Sequence, residues 1–154
     1  MAEAQAGQRA VFFVDAAHFV LGAFMSVVWR VARVWIKAPS GRQRFNVLGA
    51  IDAVSKEVIT VVNSAYINSI SVCALLAKLA ASRPTLPITV VLDNARYQRC
   101  ALVKTCADQL NIELLFLPTY SPNLNLIERL WKFVKRQCLY AKYYPDFHSF
   151  TTAI

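Results

Sequence analysis

Three acids stand where a carboxylate is costly unless it is paired or bound to a cation. Asp15 interrupts the apolar run "AVFFVDAAHFVLG", Asp93 ends "ITVVLD", and Glu128 stands among bases in "LNLIERLWKFVKR". Any one of them taken singly reads equally as a loop cap or as the partner of a nearby Lys or Arg. Together, if they converge at strand ends, three carboxylates can hold two divalent ions about 4 Å apart, one activating a water or hydroxyl nucleophile and the other stabilising the leaving oxygen of a phosphodiester. An all-oxygen donor set suits Mg²⁺, or Mn²⁺ as its substitute, better than zinc.

The elements that must position these acids follow from the apolar pattern. Residues 10–22 read as a fully buried strand whose end presents Asp15, and "WRVARVWI" (29–36) as a second strand. "RFNVLGAIDAV" and "KEVITVVN" read as antiparallel neighbours joined around Ser55. "NSISVCALLAKLAAS" is a helix with Asn68 or Ser69 as its cap and Pro84 beyond its end. "ITVVLDNA" lacks polar alternation, as expected for a strand covered on both faces. "RCALVKTCADQLN" reads as a helix, "IELLFLP" as a short strand, and "DFHSFTTAI" as the start of a last helix. Strands first as a meander, then alternating helices and strands, predict an α/β domain with a mixed five-stranded sheet and helices on both faces.

In the helix that carries Glu128, a turn of 100° per residue groups Leu124, Ile127, Trp131, Val134 and Cys138 on one face. Asn125, Glu128, Lys132 and Lys135 then lie on the flank beside it. Glu128 is expected at the edge of the core, with Lys132, Lys135 and Arg136 meeting phosphates around it. "TYSP" (119–122) is expected to fix how the chain enters this helix, because Pro118 and Pro122 restrict the backbone around it.

Composition bounds the rest. The chain has 154 residues, 56% of them apolar, which suffices for one domain with a real core and leaves no room for a second. Its 17 Lys and Arg against 9 Asp and Glu give a formal charge of +8, which points toward a polyanionic partner. Cys73, Cys100, Cys106 and Cys138 show no metal-ligand spacing and read as reduced, mostly buried thiols of a cytoplasmic protein. The run 10–29 is interrupted by Asp15 and His18 and is read as buried strand, not membrane span. His18 reads as a packed or locally hydrogen-bonded residue, His148 has no partner pattern, and Trp29, Trp35 and Trp131 read as core. Residues 1–9 read as a flexible lead.

"FFVDAAHF", "VLDNARYQ" and "LFLPTYSPNLNLIERLWKFVKR" resemble the catalytic domain of the IS630/Tc1/mariner group of DDE transposases. The resemblance covers nearly the whole chain, and 34 residues intervene between Asp93 and Glu128, the spacing associated with that group. It implies a ribonuclease-H-like fold over residues 10–154, with Asp15, Asp93 and Glu128 as catalytic metal ligands. It further implies Mg²⁺-dependent hydrolysis of DNA at element ends, followed by attack of the freed 3′-hydroxyl on target DNA. Under the resemblance, Asn94 orients Asp93 or a bound water or is simply a turn residue, and Asn125 supports the Glu128 helix, touches DNA or caps. Arg42 and Arg44, after the "PSG" turn, contact the DNA backbone or belong to a solvated turn. Leu126 replaces the usual second proline, Thr119 replaces another, and Gln98 stands where the group commonly has His. The group's N-terminal helix-turn-helix region is expected as a separate region or reading-frame product, and the chain is expected to be truncated at its C-terminus. Double-stranded DNA and a second copy of the protein are the implied partners. The alternative is a catalytically incomplete remnant that only binds DNA or oligomerises.

Overall fold

The computed structural model describes residues 1–22, 43–118, 124–140 and 142–154. The strand expected over 29–36, Arg42 and the "TYSP" turn lie outside the described residues. Five strands, β1 (Ala10–Val20), β2 (Arg44–Asp52), β3 (Val58–Asn63), β4 (Ile88–Leu92) and β5 (Ile112–Phe116), form one sheet in the order β3-β2-β1-β4-β5. The β1–β2 and β2–β3 pairs are antiparallel; β1–β4 and β4–β5 are parallel. The sheet is therefore mixed, as expected, with α2 (Ser69–Ser82) and α3 (Ala101–Gln109) as the crossovers that parallel pairing requires.

Helices cover both faces because β1 is apolar at nearly every position. Its even residues Phe12 and Val14 join Leu48, Ala50, Val90 and Leu92 beneath α2 and α3. Its odd residues Ala17 and Phe19 join Val47 and Ile51 beneath α4 (Ile127–Cys138). The closing helix α5 (Phe147–Ala153) adds Phe150, whose ring meets Tyr144 edge-on at 5.6 Å. Asn68 caps α2: its side chain accepts from the Ser71 N–H at 3.1 Å, and the Ser71 hydroxyl reaches back to the Asn68 N–H.

Two expectations change. The first nine residues carry the short helix α1 (Ala2–Gln5), which seats Ala4 against Val11, Ala53 and Val91. Arg9 ties this segment down by pairing with Glu3 and Glu113, each at 2.8 Å. Leu124, expected on the core face of the last long helix, lies ahead of α4 and is exposed. The apolar stripe starts one turn later, at Ile127, because the chain first enters through a buried Asn125. The four cysteines are free thiols, each half-buried. No helix among the described residues is long and apolar enough to cross a membrane.

Candidate active site

Strand parity decides where the acids point. Asp15, expected at the end of its strand, instead stands midway along β1, which continues in register with β2 to Val20; it shares the odd parity of Ala17 and Phe19, so its side chain emerges on the α4 side of the sheet. On β4, Ile88, Val90 and Leu92 face α2 and α3, whereas Val91 packs with Phe13 on the other side. Asp93 continues the parity of Val91 one residue beyond the strand. The parallel ladder pairs Phe13 with Val91, so Asp15 and Asp93 each stand two residues farther along neighbouring strands, whose usual separation is about 4.8 Å.

Past Leu92 the chain turns away, and Asn94 takes a left-handed conformation with φ of 74°, one that Asn tolerates better than most residues. The Ala95 N–H is shared between Asp93 Oδ1 at 3.4 Å and Gln98 Oε1 at 3.2 Å. Gln98 is fully buried, and its Nε2 donates to the Tyr97 hydroxyl at 3.5 Å. Asn94 thus acts through its backbone, and the buried Gln98 amide holds the turn that carries Asp93.

The third acid comes from the first turn of α4. Asn125 Nδ2 donates to the Val14 carbonyl at 3.1 Å, and its Oδ1 accepts from the Ile127 N–H at 3.4 Å. At 3% exposure this amide is a clip between β1 and α4, not a surface for DNA. It anchors the start of the Glu128 helix to the residue immediately before Asp15. Gly49 on β2 completes the seat: a Cβ there would lie 2.7 Å from Trp131 Cζ2, so only glycine admits the indole. Above this seat a cavity of about 290 Å³ is lined by Asp15, His18, Glu128, Trp131, Lys132 and Lys135.

The acids feel one another. Burial pushes the Asp15 carboxyl from its ordinary 3.8 up to about 6, and the charges of Asp93 and Glu128 push the same way; the Ala16 N–H and His18 offset part of this. Burial likewise lifts the Tyr97 phenol to about 12, with Asp93 and then Asp15 adding to it. Among the described residues none of the three acids forms an ion pair with Lys or Arg, so the plain salt-bridge reading does not account for them.

The family model for DDE superfamily endonucleases matches residues 10–151. The chain belongs to this family. Its fold is shared with solved transposase and intasome structures. A Mos1 transposase paired-end complex with the left transposon end aligns with a TM-score of 0.69 and 16% identity, over 94% of this chain and 46% of that one. A Mos1 strand transfer complex aligns with a TM-score of 0.66 and 15% identity, over 94% and 45%. A simian T-cell lymphotropic virus intasome bound to the PP2A regulatory subunit B56 gamma aligns with a TM-score of 0.64 and 16% identity, over 95% and 46%. The DDE chain therefore spans less than half the length of these structures. No curated protein matches it.

In this DDE domain the donors fit a hard divalent cation in kind, since all are carboxylate oxygens left without a cationic partner. They do not yet fit in spacing. Among the described residues no group of three His, Cys, Asp or Glu is close enough together to hold a metal ion. Charge repulsion acts over longer distances than coordination, which is why Asp15 responds to both other acids although the three are not drawn into one ligand set. Of the basic residues expected at the site, Lys132 and Lys135 line the cavity. Arg136 is exposed outside its lining. Arg44 pairs with Val20, five residues along β1 from Asp15, or about 17 Å at strand rise. It lines a different cavity with Ser64, Tyr66 and Phe147. His18 is held locally, its Nδ1 donating to Asn46 Oδ1 at 2.6 Å. Tyr97 was not singled out by sequence pattern; its only sequence signal is its position four residues after Asp93.

Proposed function

We propose that the chain is the catalytic domain of an IS630-like transposase of the Tc1/mariner type. It cuts DNA at element ends in a divalent-metal-dependent reaction and joins the freed 3′-hydroxyl to target DNA. The observation that carries this reading is the placement of Asp15, midway along β1, and Asp93, just past the end of β4, on one sheet face of neighbouring strands, with Glu128 presented to the same side from a helix clipped to β1. Residues 10–154 form the catalytic unit.

Asp15, Asp93 and Glu128 are the residues that would hold Mg²⁺, with Mn²⁺ as substitute, once their side chains draw together from the spacing seen here. Two such ions would supply a water or hydroxyl activated at neutral pH and charge stabilisation at the leaving oxygen. In the first step a water oxygen attacks phosphorus and the P–O3′ bond breaks, leaving a 3′-hydroxyl and a 5′-phosphate. In the second, that 3′-hydroxyl attacks a target phosphorus and a target 3′-oxygen leaves. Lys132 and Lys135 hold the phosphates flanking the scissile bond, and Arg136 extends the contact. Arg44 meets the duplex backbone about five base pairs away, at roughly 3.4 Å per pair, and Arg42 is a further backbone contact. The acting form is a homodimer in the cytoplasm, completed by a helix-turn-helix region that reads the terminal repeats. The lengths of the aligned structures, about twice that of this chain, support a further region of that size.

The test is nicking of a labelled duplex carrying an element end, in Mn²⁺ and in EDTA, by the parent and by Asp93→Asn. The expected result is metal-dependent nicking that leaves a 3′-hydroxyl and falls at least about a thousandfold in the variant. A folded parent that binds the duplex but never nicks it in either metal would overturn the reading and leave a DNA-binding remnant.

A further inference from the structure

The active site uses one side of α4, and the outer side carries a second pattern. At 100° per residue Glu128, Lys132 and Lys135 form one stripe, while Arg129, Phe133 and Arg136, each one residue later, form another, turned from the first by about 100°. Ile127 and Trp131 bury the side that meets the sheet, so Phe133 and Arg136 face almost directly away from it, while Arg129, at the first turn, is exposed at the rim of a cavity shared with Phe13, Leu124 and Leu126. Tyr140 extends it just past the last turn. Phe133 is 59% and Tyr140 58% exposed, and neither joins the apolar cluster beneath the helix. Arg129 and Arg136 are exposed as well, and among the described residues neither has a carboxylate at ion-pair distance.

A single exposed aromatic is ordinary. Two aromatics interleaved with two unneutralised guanidiniums along one helix face are a different pattern. The guanidiniums call for a polyanion. The rings gain nothing from a duplex, whose base faces are already stacked, but gain from bases whose faces are free. A second copy of the chain fits less well, because a two-fold contact would bring the same cationic stripe against itself. We propose that this outer face of α4 binds an unpaired DNA strand, with Phe133 and Tyr140 stacking on bases and Arg129 and Arg136 holding phosphates. From Arg129 to Arg136 the stripe runs on the order of 10 Å along the axis, a length suited to two or three nucleotides. The inference rests on the DNA-cutting reading in one respect: Lys132 borders both stripes, so the bound strand is the one freed from pairing beside the scissile bond.

The experiment measures binding of a labelled oligothymidylate and of a mixed-sequence duplex to the whole chain by fluorescence anisotropy, in EDTA. The proteins are the parent, Phe133→Ala, Tyr140→Ala, the double variant, Phe133→Trp and Arg136→Gln, each checked for folding by circular dichroism. Each alanine should lower oligothymidylate affinity roughly tenfold, and the double variant should lower the ratio of single-strand to duplex affinity by on the order of a hundredfold. Phe133→Trp should restore stacking. The logarithmic salt slope should stay the same in the aromatic variants and become shallower by about 0.7 in Arg136→Gln. An unchanged ratio in the double variant overturns the proposal. So does self-association of the parent that Phe133→Ala abolishes. Because binding is read without metal, failure of the parent to nick DNA would remove the cleavage reading without touching this result, and an unchanged affinity ratio would remove the stripe without touching cleavage.

Discussion

Asp15→Asn should make the metal-free protein more stable at neutral pH, although it removes a proposed catalytic group. The Asp15 carboxyl titrates at about 6 in the folded chain against an ordinary 3.8. Between these values the folded state holds a proton that the unfolded state has released, so stability falls as pH rises from about 4 through 6 and stays low above it. An interval of about two pH units corresponds to roughly 3 kcal/mol as a ceiling, at about 1.36 kcal/mol each. Solvent reaching the cavity reduces this to on the order of 1–2 kcal/mol. Asn has the same shape and can still accept from the Ala16 N–H, but it carries no charge to be desolvated by burial or repelled by Asp93 and Glu128. Urea unfolding in EDTA at several pH values measures the difference. The variant should exceed the parent by about 1–2 kcal/mol at pH 8 and match it near pH 4, and millimolar Mn²⁺ should narrow the gap at pH 8 by stabilising only the parent. A variant less stable than the parent at pH 8, or a gap that does not change with pH, would refute the claim that burial, reinforced by the charges of Asp93 and Glu128, penalises the Asp15 carboxylate.

Two substitutions probe how α4 is held. Asn125→Ala should cost about 1–3 kcal/mol in urea unfolding by leaving the Val14 carbonyl and Ile127 N–H without their partner. Asn125→Asp should be no better, because it turns the donor facing the carbonyl into an acceptor; full stability in either variant would remove the clip. Gly49→Ala should cost about 1–3 kcal/mol by overpacking against Trp131. Adding Trp131→Phe should recover part of that loss, and strict additivity of the two would show that they do not meet.

Element types were legible wherever a segment's own pattern decided them. The apolar run of β4, the capped α2 and the antiparallel β2 and β3 follow from residues close in sequence. The three acids were legible from their contrast with apolar neighbours, and parity then put Asp15 and Asp93 on one face. What the sequence left open depends on long-range pairing. The distance of Arg44 from the acids is set by the register that places it opposite Val20. The seating of α1 depends on Arg9 reaching Glu113, far away in sequence. The role of Gln98 depends on its complete burial behind the Asp93 turn, and nothing in "DNARYQ" alone distinguishes a buried glutamine from a surface one. The start of α4 was misplaced because Leu124 fits the helical period, while Asn125 is drawn instead to the Val14 carbonyl.

The acids are held by separate devices. Asp15 belongs to a central strand flanked on both sides, and α4 is locked to that strand by Asn125 and by the Gly49–Trp131 contact. Asp93 hangs from a turn of a few residues, stabilised by the left-handed Asn94 and the buried Gln98 amide. The first and third acids therefore move as one body, and the second has its own support. Under the proposed reading, drawing the three carboxylates together would need their charge neutralised, and the movement would fall to the side chains of Asp93 and Glu128 rather than to the backbone. The backbone of β1 and the seat of Trp131 are packed too closely to yield. The same rigidity explains the use of glycine at position 49. A larger residue would lift α4 away from the sheet and carry Glu128 with it, so an ordinary packing contact on the sheet sets how near the third carboxylate stands to the first.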